Sequence, residues 1–377
     1  MSTIRAKAFQ HPSASSNNIT FNADGTHTVN AQHPITNKNL LINGGMNVWQ
    51  RSTSESITTA AYHTVDRWLT SMVTIGTFTQ SRSTDVPSGQ GFGYSLKMDC
   101  TTADASPAAG DDLVLITRLE GQNLQHLLKG TSSAKKVTLS FWVKSNKTGT
   151  YVIELRDKDN DRHICKAYTI SATSTWEKKE LTFDGDTTGT FDNDNANSLD
   201  VLFWLGAGSN YTSGTLATSW ATVVNANKAV GQVNLADSTS NEFFITGCQL
   251  EVGEQATEFE FEPYVATLQK CLRYYRKITA DQSGRRFRQG GVATASTNVS
   301  FDVLMPTPMR ALPSMTKTDI ELRNLSDTAT AGAINAIFAD DEFLLIGFSI
   351  ATTGAISDGY SIRATSSSAK LDFDSEL

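Results

Sequence analysis

At 377 residues the chain is long enough for two or three domains with cores of their own, at about 150 residues each. Hydrophobic residues make up 39% and charged residues 19%, below the globular averages of roughly 45–50% and about 25%, and Ser plus Thr fill the difference at over a fifth of the chain. Thr favours strands and Ser favours turns, so the composition argues against a helical bundle or an α/β enzyme, and a net charge of −7 with no basic stripe argues against a nucleic-acid partner.

Residues 1–36 are polar and too short to fold alone; they read as an attachment arm. Within them Asn22-Ala23-Asp24-Gly25, flanked by Ile19-Thr20-Phe21 and Thr26-His27-Thr28-Val29, predicts a small hairpin. From 37 to 264 the pattern is strand after strand. Val137 to Val143 and Tyr151 to Leu155 alternate cleanly, and further runs are Ile164 to Ile170, Trp176 to Phe183, Val201 to Leu205 and Phe243 to Val252. That spacing predicts a β-sandwich. One helix is expected inside it, Leu119 to Leu128, and a second, connecting helix over 265–280, where Leu268, Leu272 and Tyr275 fall at helical spacing. The stretch 281–377 returns to strands at Asn298 to Met305, Ile320 to Leu322, Ala333 to Phe338, Phe343 to Ile350 and Tyr360 to Ala364. Pro306, Pro308 and Pro313 make Met305 to Pro313 a connection or edge. A smaller C-terminal β-sandwich follows from that pattern.

Catalytic motifs are missing: no Gly-rich phosphate loop, G-x-S-x-G elbow or H-E-x-x-H helix occurs. The six histidines are scattered and read as surface residues, and the basic stretch Arg273 to Arg288 reads as a solvated or subunit-facing patch. Cys100, Cys165, Cys248 and Cys271 have no C-x-x-C spacing and are expected to be free buried thiols. No apolar run approaches the roughly 18 residues of a membrane span, so no membrane insertion is expected. The N-terminus lacks the plan of a signal peptide, which points to synthesis in a cytoplasm.

Two groups of side chains are candidate sites. Asp157, Asp159 and Asp161 alternate in one loop, as oxygen ligands of a hard cation such as calcium do; the competing reading is a charged hairpin tip between two strands. All six tryptophans lie between residues 49 and 220. Trp142 and Trp204 sit in apolar strand runs and are expected in the core. Tyr211 and Trp220 lie in a loop-like segment and are the candidates for stacking on a glycan.

The segment Asn39-Leu40-Leu41-Ile42-Asn43-Gly44-Gly45-Met46-Asn47-Val48-Trp49-Gln50-Arg51, followed by Asp66-Arg67-Trp68, resembles the opening of a domain that recurs in bacteriophage virion proteins, including tail fibres of phages infecting cyanobacteria. Gly247-Cys248-Gln249-Leu250-Glu251-Val252-Gly253, Phe261-Glu262-Pro263-Tyr264 and Cys271-Leu272-Arg273-Tyr274-Tyr275 are similar to its far end. The arm around His11 to Ile19 and the stretch Met305 to Arg310 also look like parts of such proteins. The resemblance implies an all-β chain whose main domain is a jelly roll akin to carbohydrate-binding modules. It implies a non-enzymatic tail fibre or receptor-binding protein, held to other virion proteins by the arm, contacting a host cell-surface glycan and assembling as a homotrimer. A capsid decoration protein and a glycan-degrading enzyme are the alternatives. Within this frame Arg51, Asp66 and Arg67 are expected to form a paired network closing one end of the domain, with the Leu40 to Asn43 strand next to Phe243 to Val252.

Overall fold

A computed structural model describes residues 37–280, 282–295, 297–324, 326, 328–330, 332–339, 343–350 and 359–377, with three short strands among the first 36 residues. Those three are β1 (Ala8–Phe9), β2 (Ile19–Phe21) and β3 (His27–Val29). Strands β2 and β3 pair antiparallel with Ile19 opposite Val29; the expected Asp24-Gly25 turn between them lies outside the described residues.

The first sandwich begins with β4 (Ser54–Ile57), β5 (Leu69–Val73), β6 (Thr77–Ser83), β7 (Ser95–Thr102) and β8 (Asp112–Glu120). It continues with β9 (Val137–Ser145), β10 (Gly149–Asp157), β11 (Arg162–Ile170), β12 (Glu177–Phe183) and β13 (Asn197–Ala207). A four-residue helix α1 (Ser209–Thr212), the short β14 (Ala221–Thr222) and β15 (Glu242–Val252) complete it. Two six-stranded antiparallel sheets result, in the orders β14-β11-β10-β13-β8-β5 and β12-β9-β15-β7-β6-β4. Chain neighbours repeatedly fall in opposite sheets, as in a jelly roll.

Period-2 alternation drives the packing. Along β9 the side chains of Val137, Leu139, Phe141 and Val143 enter the space between the sheets, where Trp68, Phe203, Tyr168 and Phe243 meet them. Fully burying each such side chain contributes roughly 1.5–3 kcal/mol. Trp142 is on the opposite face of β9 and is only half-buried, so the expectation of a core Trp142 is corrected by strand parity; Trp204 is 3% exposed, as expected. A second apolar layer forms outside the β10–β13 sheet, where Val114, Val152, Cys165, Leu202 and Trp204 are covered by Tyr211, Leu216, Ala217 and Ala229. Residues 208–234 therefore close one outer face of this sandwich.

Both expected helices change. Leu119 belongs to β8, and the chain then makes two 3-10 turns, Gly121–Asn123 and Gln125–Leu127. The turn starts where β8 passes under the loop before β13: a Cβ on Gly121 would lie 2.0 Å from the Asp192 carbonyl oxygen. The connecting helix is α2 (Tyr264–Leu272), and it stops short of the tyrosines because Tyr275 opens β16 (Tyr275–Thr279).

The C-terminal part holds β17 (Arg286–Ala295), β18 (Asn298–Leu304), β19 (Ser314–Thr318), β20 (Ile320–Asn324) and β21 (Ala329–Thr330). Its last strands are β22 (Gly332–Ala339), β23 (Phe343–Ile350), β24 (Gly359–Ala364) and β25 (Lys370–Asp374). They make a seven-stranded sheet in the order β21-β20-β24-β17-β18-β23-β22 and a three-stranded sheet β16-β25-β19. Val299, Phe301, Ile346, Phe348, Ile362 and Phe373 form the core between them. The proline-rich residues after Met305 connect β18 to β19. All four cysteines are free and buried.

Candidate interdomain cleft

The turn after Asn39 sets the first wall. Asn43 has φ 60°, and its side chain closes the turn: Oδ1 accepts from the Asn47 and Val48 amides at 2.8 and 3.0 Å, while Nδ2 donates to the Val48 and Asp66 carbonyls, both at 3.0 Å. The expected strand over Leu40 to Asn43 is a turn, yet its adjacency to β15 holds, through the Leu40 amide donating to the Leu250 carbonyl at 2.8 Å and the Cys248 amide donating to the Gly44 carbonyl at 2.9 Å. Asp66 is 0% exposed and accepts from the Gln50 amide and side chain at 2.8 and 2.5 Å. Burial pushes its pKa up to about 6, against the pull of Arg51.

Arg51 and Arg67 do form a network, but their partners come from the far end of the chain. Arg51 pairs with Asp374 at 2.9 Å and Glu376 at 3.3 Å, and its guanidinium lies 3.6 Å from the centre of the Tyr275 ring. Arg67, 1% exposed, pairs with Glu376, donates to the Arg118 carbonyl at 2.7 Å and stacks 3.4 Å from the Tyr274 ring centre. Burial opposes the charge on Arg51, and the Glu376 and Asp374 carboxylates outweigh it, so its pKa rises. Glu120 accepts both bonds of a bidentate pair from Arg273 at 2.8 Å and one from the Tyr274 hydroxyl at 2.5 Å. These bonds overcome its burial and hold its pKa below the usual carboxylate range. Arg276 donates to the Leu304 carbonyl at 2.6 Å and Lys277 to the Arg51 carbonyl at 2.7 Å. This part of the basic stretch is thus an internal set of cross-links, where a solvated or subunit-facing patch was expected.

Between this network and the β16-β25-β19 sheet opens a cleft of about 300 Å3. Tyr62 and Tyr275 supply aromatic walls, Arg51 and Lys370 cations, Glu55, Asp372 and Asp374 carboxylates, and Ser314 and Thr316 hydroxyls. Asp372 accepts from the Tyr275 hydroxyl at 2.5 Å and pairs with Lys370 at 2.9 Å. His63 is buried at 7% exposure, its ring nitrogens 3.0 Å from Glu55 Oε1 and 2.9 Å from the Thr59 carbonyl oxygen. Burial pushes the Tyr62 hydroxyl up to about 12. Of these residues sequence reading singled out only Arg51 and Tyr275; the rest carry no local signal, because the cleft is assembled from segments more than two hundred residues apart.

The structure puts the sequence-predicted site residues to other uses. Asp157 is 0% exposed and holds the Lys129 ammonium at 2.5 Å; Asp186 and the Thr188 and Gly189 carbonyls complete an oxygen shell at 3.2, 3.0 and 2.7 Å. Asp159 accepts from the Asp192 amide at 2.9 Å and Asp161 from Arg156 at 3.2 Å. The three carboxylates do not converge, and a lysine occupies the position beside Asp157 where a bound cation would sit. Tyr211 and Trp220 are half-buried and apart in role. Tyr211 packs 5.3 Å from Trp204 and lies beside Asp112. Trp220 donates to the Asp184 carbonyl at 2.7 Å beside a cavity of about 20 Å3, room for a water and not for a sugar ring. Among the histidines, His63 and His163 are buried against carboxylates, which corrects their assignment to the surface. Half-buried rings do face outward elsewhere: Trp142, and Trp176, whose Nε1 donates to Asp85 at 2.9 Å.

No family model matches the chain, and no curated protein matches it. Solved structures similar to it include the enzymatically active domain of tailspike protein 4 of bacteriophage CBA120, at 13% identity over 57% of this chain and 22% of that one, TM-score 0.31. A CBM4 structure matches at 10% identity over 56% and 99%, TM-score 0.28. The family 11 carbohydrate-binding module of a Clostridium thermocellum cellulosomal cellulase matches at 14% identity over 54% and 99%, TM-score 0.27. At identities and scores this low the likeness says nothing about ligand or reaction.

Proposed function

We propose that the chain is a non-enzymatic phage virion protein, a homotrimeric tail fibre or receptor-binding protein attached through residues 1–36, with the interdomain cleft as its contact for a host surface glycan. The cleft carries the glycan reading. At about 300 Å3 it is at the lower end of the size range of small-ligand sites, and it offers carboxylate, guanidinium, ammonium and hydroxyl groups at fixed positions around aromatic walls, the mixture that suits a polyhydroxylated ring. The resemblance of the Asn39 to Arg51 and Cys271 to Tyr275 segments to virion proteins supports the setting. Binding is favoured over hydrolysis because the cleft acids already have partners: Asp372 serves the Tyr275 hydroxyl and Lys370, and Asp374 serves Arg51. Glycoside hydrolysis needs an acid and a base free to face each other across the bond.

Thr316 is exposed on β19, so Thr316→Trp fills the cleft without disturbing either core. The expected result on a glycan array is at least a tenfold loss of affinity, with no reducing ends released by the unaltered protein. Retained affinity in Thr316→Trp together with loss in Trp142→Ala would move the contact to the outer face of β9, and turnover of glycan would replace the binding reading with an enzymatic one. Deleting residues 1–36 tests the attachment: release from tails supports a fibre, and release from heads makes the protein a capsid decoration.

A further inference from the structure

Three side chains with metal-ligating atoms meet beneath residues 208–234. Glu154 of β10 and His163 and Cys165 of β11 are each 0% exposed, and their ligand atoms lie within 4.8 Å of one another. Strand register puts them there. Glu154 is directly opposite Cys165, and His163, two positions away on β11, shares their face.

His163 Nδ1 is 3.0 Å from Glu154 Oε1 and 3.9 Å from Cys165 Sγ. That acid and thiol approach the same ring nitrogen separates two chemistries. A nucleophile relay needs the thiol on one nitrogen and the orienting acid on the other, whereas Nε2 has no partner among the described residues. Convergence on one side of the ring instead fits a shared cation. Bonds of about 2.0–2.1 Å to nitrogen and oxygen and about 2.3 Å to sulfur, at tetrahedral angles, separate ligand atoms by about 3.4–3.6 Å. The two separations from His163 Nδ1 fall on either side of that value and all three ligand atoms lie within 4.8 Å of one another, so closing on an ion needs shifts of about 1 Å.

The surroundings hold the ligands in place. Trp204 Nε1 donates to Glu154 Oε2 at 3.1 Å, the kind of outer contact that orients a metal-binding carboxylate. The Cys165 amide donates to the Ala217 carbonyl at 2.7 Å, and Ala221 of β14 pairs with His163, so the covering segment runs beside the strand that carries two of the ligands. Lys228 is the neighbouring charge, near Glu154 and Cys165. A thiolate and a carboxylate together balance a divalent ion without it.

We propose that Glu154, His163 and Cys165 bind a borderline-soft divalent cation of the Zn2+ class between the sheet and the covering residues 208–234. The mixed sulfur, nitrogen and oxygen donors select zinc over calcium or magnesium, which take oxygen ligands. With three protein ligands and, among the described residues, no partner on His163 Nε2, the site is weaker than a four-ligand structural zinc site.

Because the cluster is buried, the ion is loaded by refolding the full chain from denaturant with Zn2+, with Ca2+ or with EDTA, followed by desalting. The expected outcome is about one zinc retained per chain, a higher melting temperature in the zinc arm alone, and a thiolate-to-metal charge-transfer band after refolding with Co2+. Cys165→Ser abolishes the band and the retention, and Trp204→Phe lowers zinc affinity roughly 10–100-fold. If Cys165→Ser does not fold, His163→Gln serves as the second variant, while stoichiometry and the cobalt band are read on the unaltered chain in any case. No retained zinc overturns the proposal. So does zinc retained equally by the variants without a cobalt–sulfur band, which would mean an adventitious ion only.

Discussion

Gly44 has no room for a side chain. A Cβ there would lie 1.9 Å from the Cys248 carbonyl oxygen, backbone that is itself held in β15. The glycine serves close approach, while the left-handed conformations of this turn fall on Asn43 at φ 60° and Met46 at φ 54°. Gly44→Ala is expected to cost about 3 kcal/mol or more in urea unfolding, the upper range for overpacking. Lys129 sets a second prediction: Lys129→Met leaves Asp157 as a buried carboxylate without a counter-charge, while Asp186 keeps Arg162 at 2.6 Å, and is expected to cost about 3 kcal/mol. With Lys129 in place, adding calcium leaves the melting temperature unchanged. Asp66 sets a third. Its folded pKa of about 6 lies above the ordinary aspartate value of 3.8, so between those pH values the folded chain binds more protons than the unfolded one. Stability therefore falls as pH rises through that window, by about 3 kcal/mol from this group. Asp66→Asn should flatten the change in urea midpoint between pH 4 and 6.5.

At the scale of elements, periodicity was a good guide only where strands bury one apolar face. Val137 to Val143, Tyr151 to Leu155 and Phe343 to Ile350 alternate or run apolar, and all are strands. Strands such as β6, with Thr77-Phe78-Thr79-Gln80-Ser81-Arg82-Ser83, carry one apolar side chain in seven and were not legible; β6 is a strand because β4 and β7 supply its ladders. The tyrosine pair shows competition between local and distant preference. Leu268, Leu272 and Tyr275 are at helical spacing, but five ladder partners from β25 claim Tyr275 to Thr279, and the helix ends at Leu272. The arginine network depends on this exchange, since it brings Tyr274 under Arg67 and Tyr275 under Arg51. Arg67→Met leaves Glu376 with Arg51 alone in a buried setting, and a loss of about 3 kcal/mol is expected, read as a lower urea midpoint.

At the scale of the whole molecule, that network joins two cores. Arg51 and Arg67 belong to the first sandwich, Asp374 ends β25 of the second and Glu376 follows it, and Glu120 reaches Arg273 and Tyr274 between them. Calorimetry of the unaltered chain should show one cooperative transition, and Glu376→Gln should split it into two, because each core retains its own apolar cluster while the pairing that couples them weakens. Two transitions in the unaltered chain would mean that the network does not couple the cores.

Much of the architecture was legible without coordinates: a hydroxyl-rich, period-2 sequence with turn residues between its runs can bury its apolar side chains only between sheets, so the all-β class, the sandwich and the free buried cysteines follow from local chemistry. The candidate sites were not legible. Asp157 alternates with Asp159 and Asp161 as a calcium ligand would, but its partner is Lys129, and Arg51 waits for a carboxylate more than three hundred residues away. Strand propensity and side-chain parity act over a few residues, whereas the choice of partner for a buried charge is made when distant strands come together, and only the tertiary structure decides it.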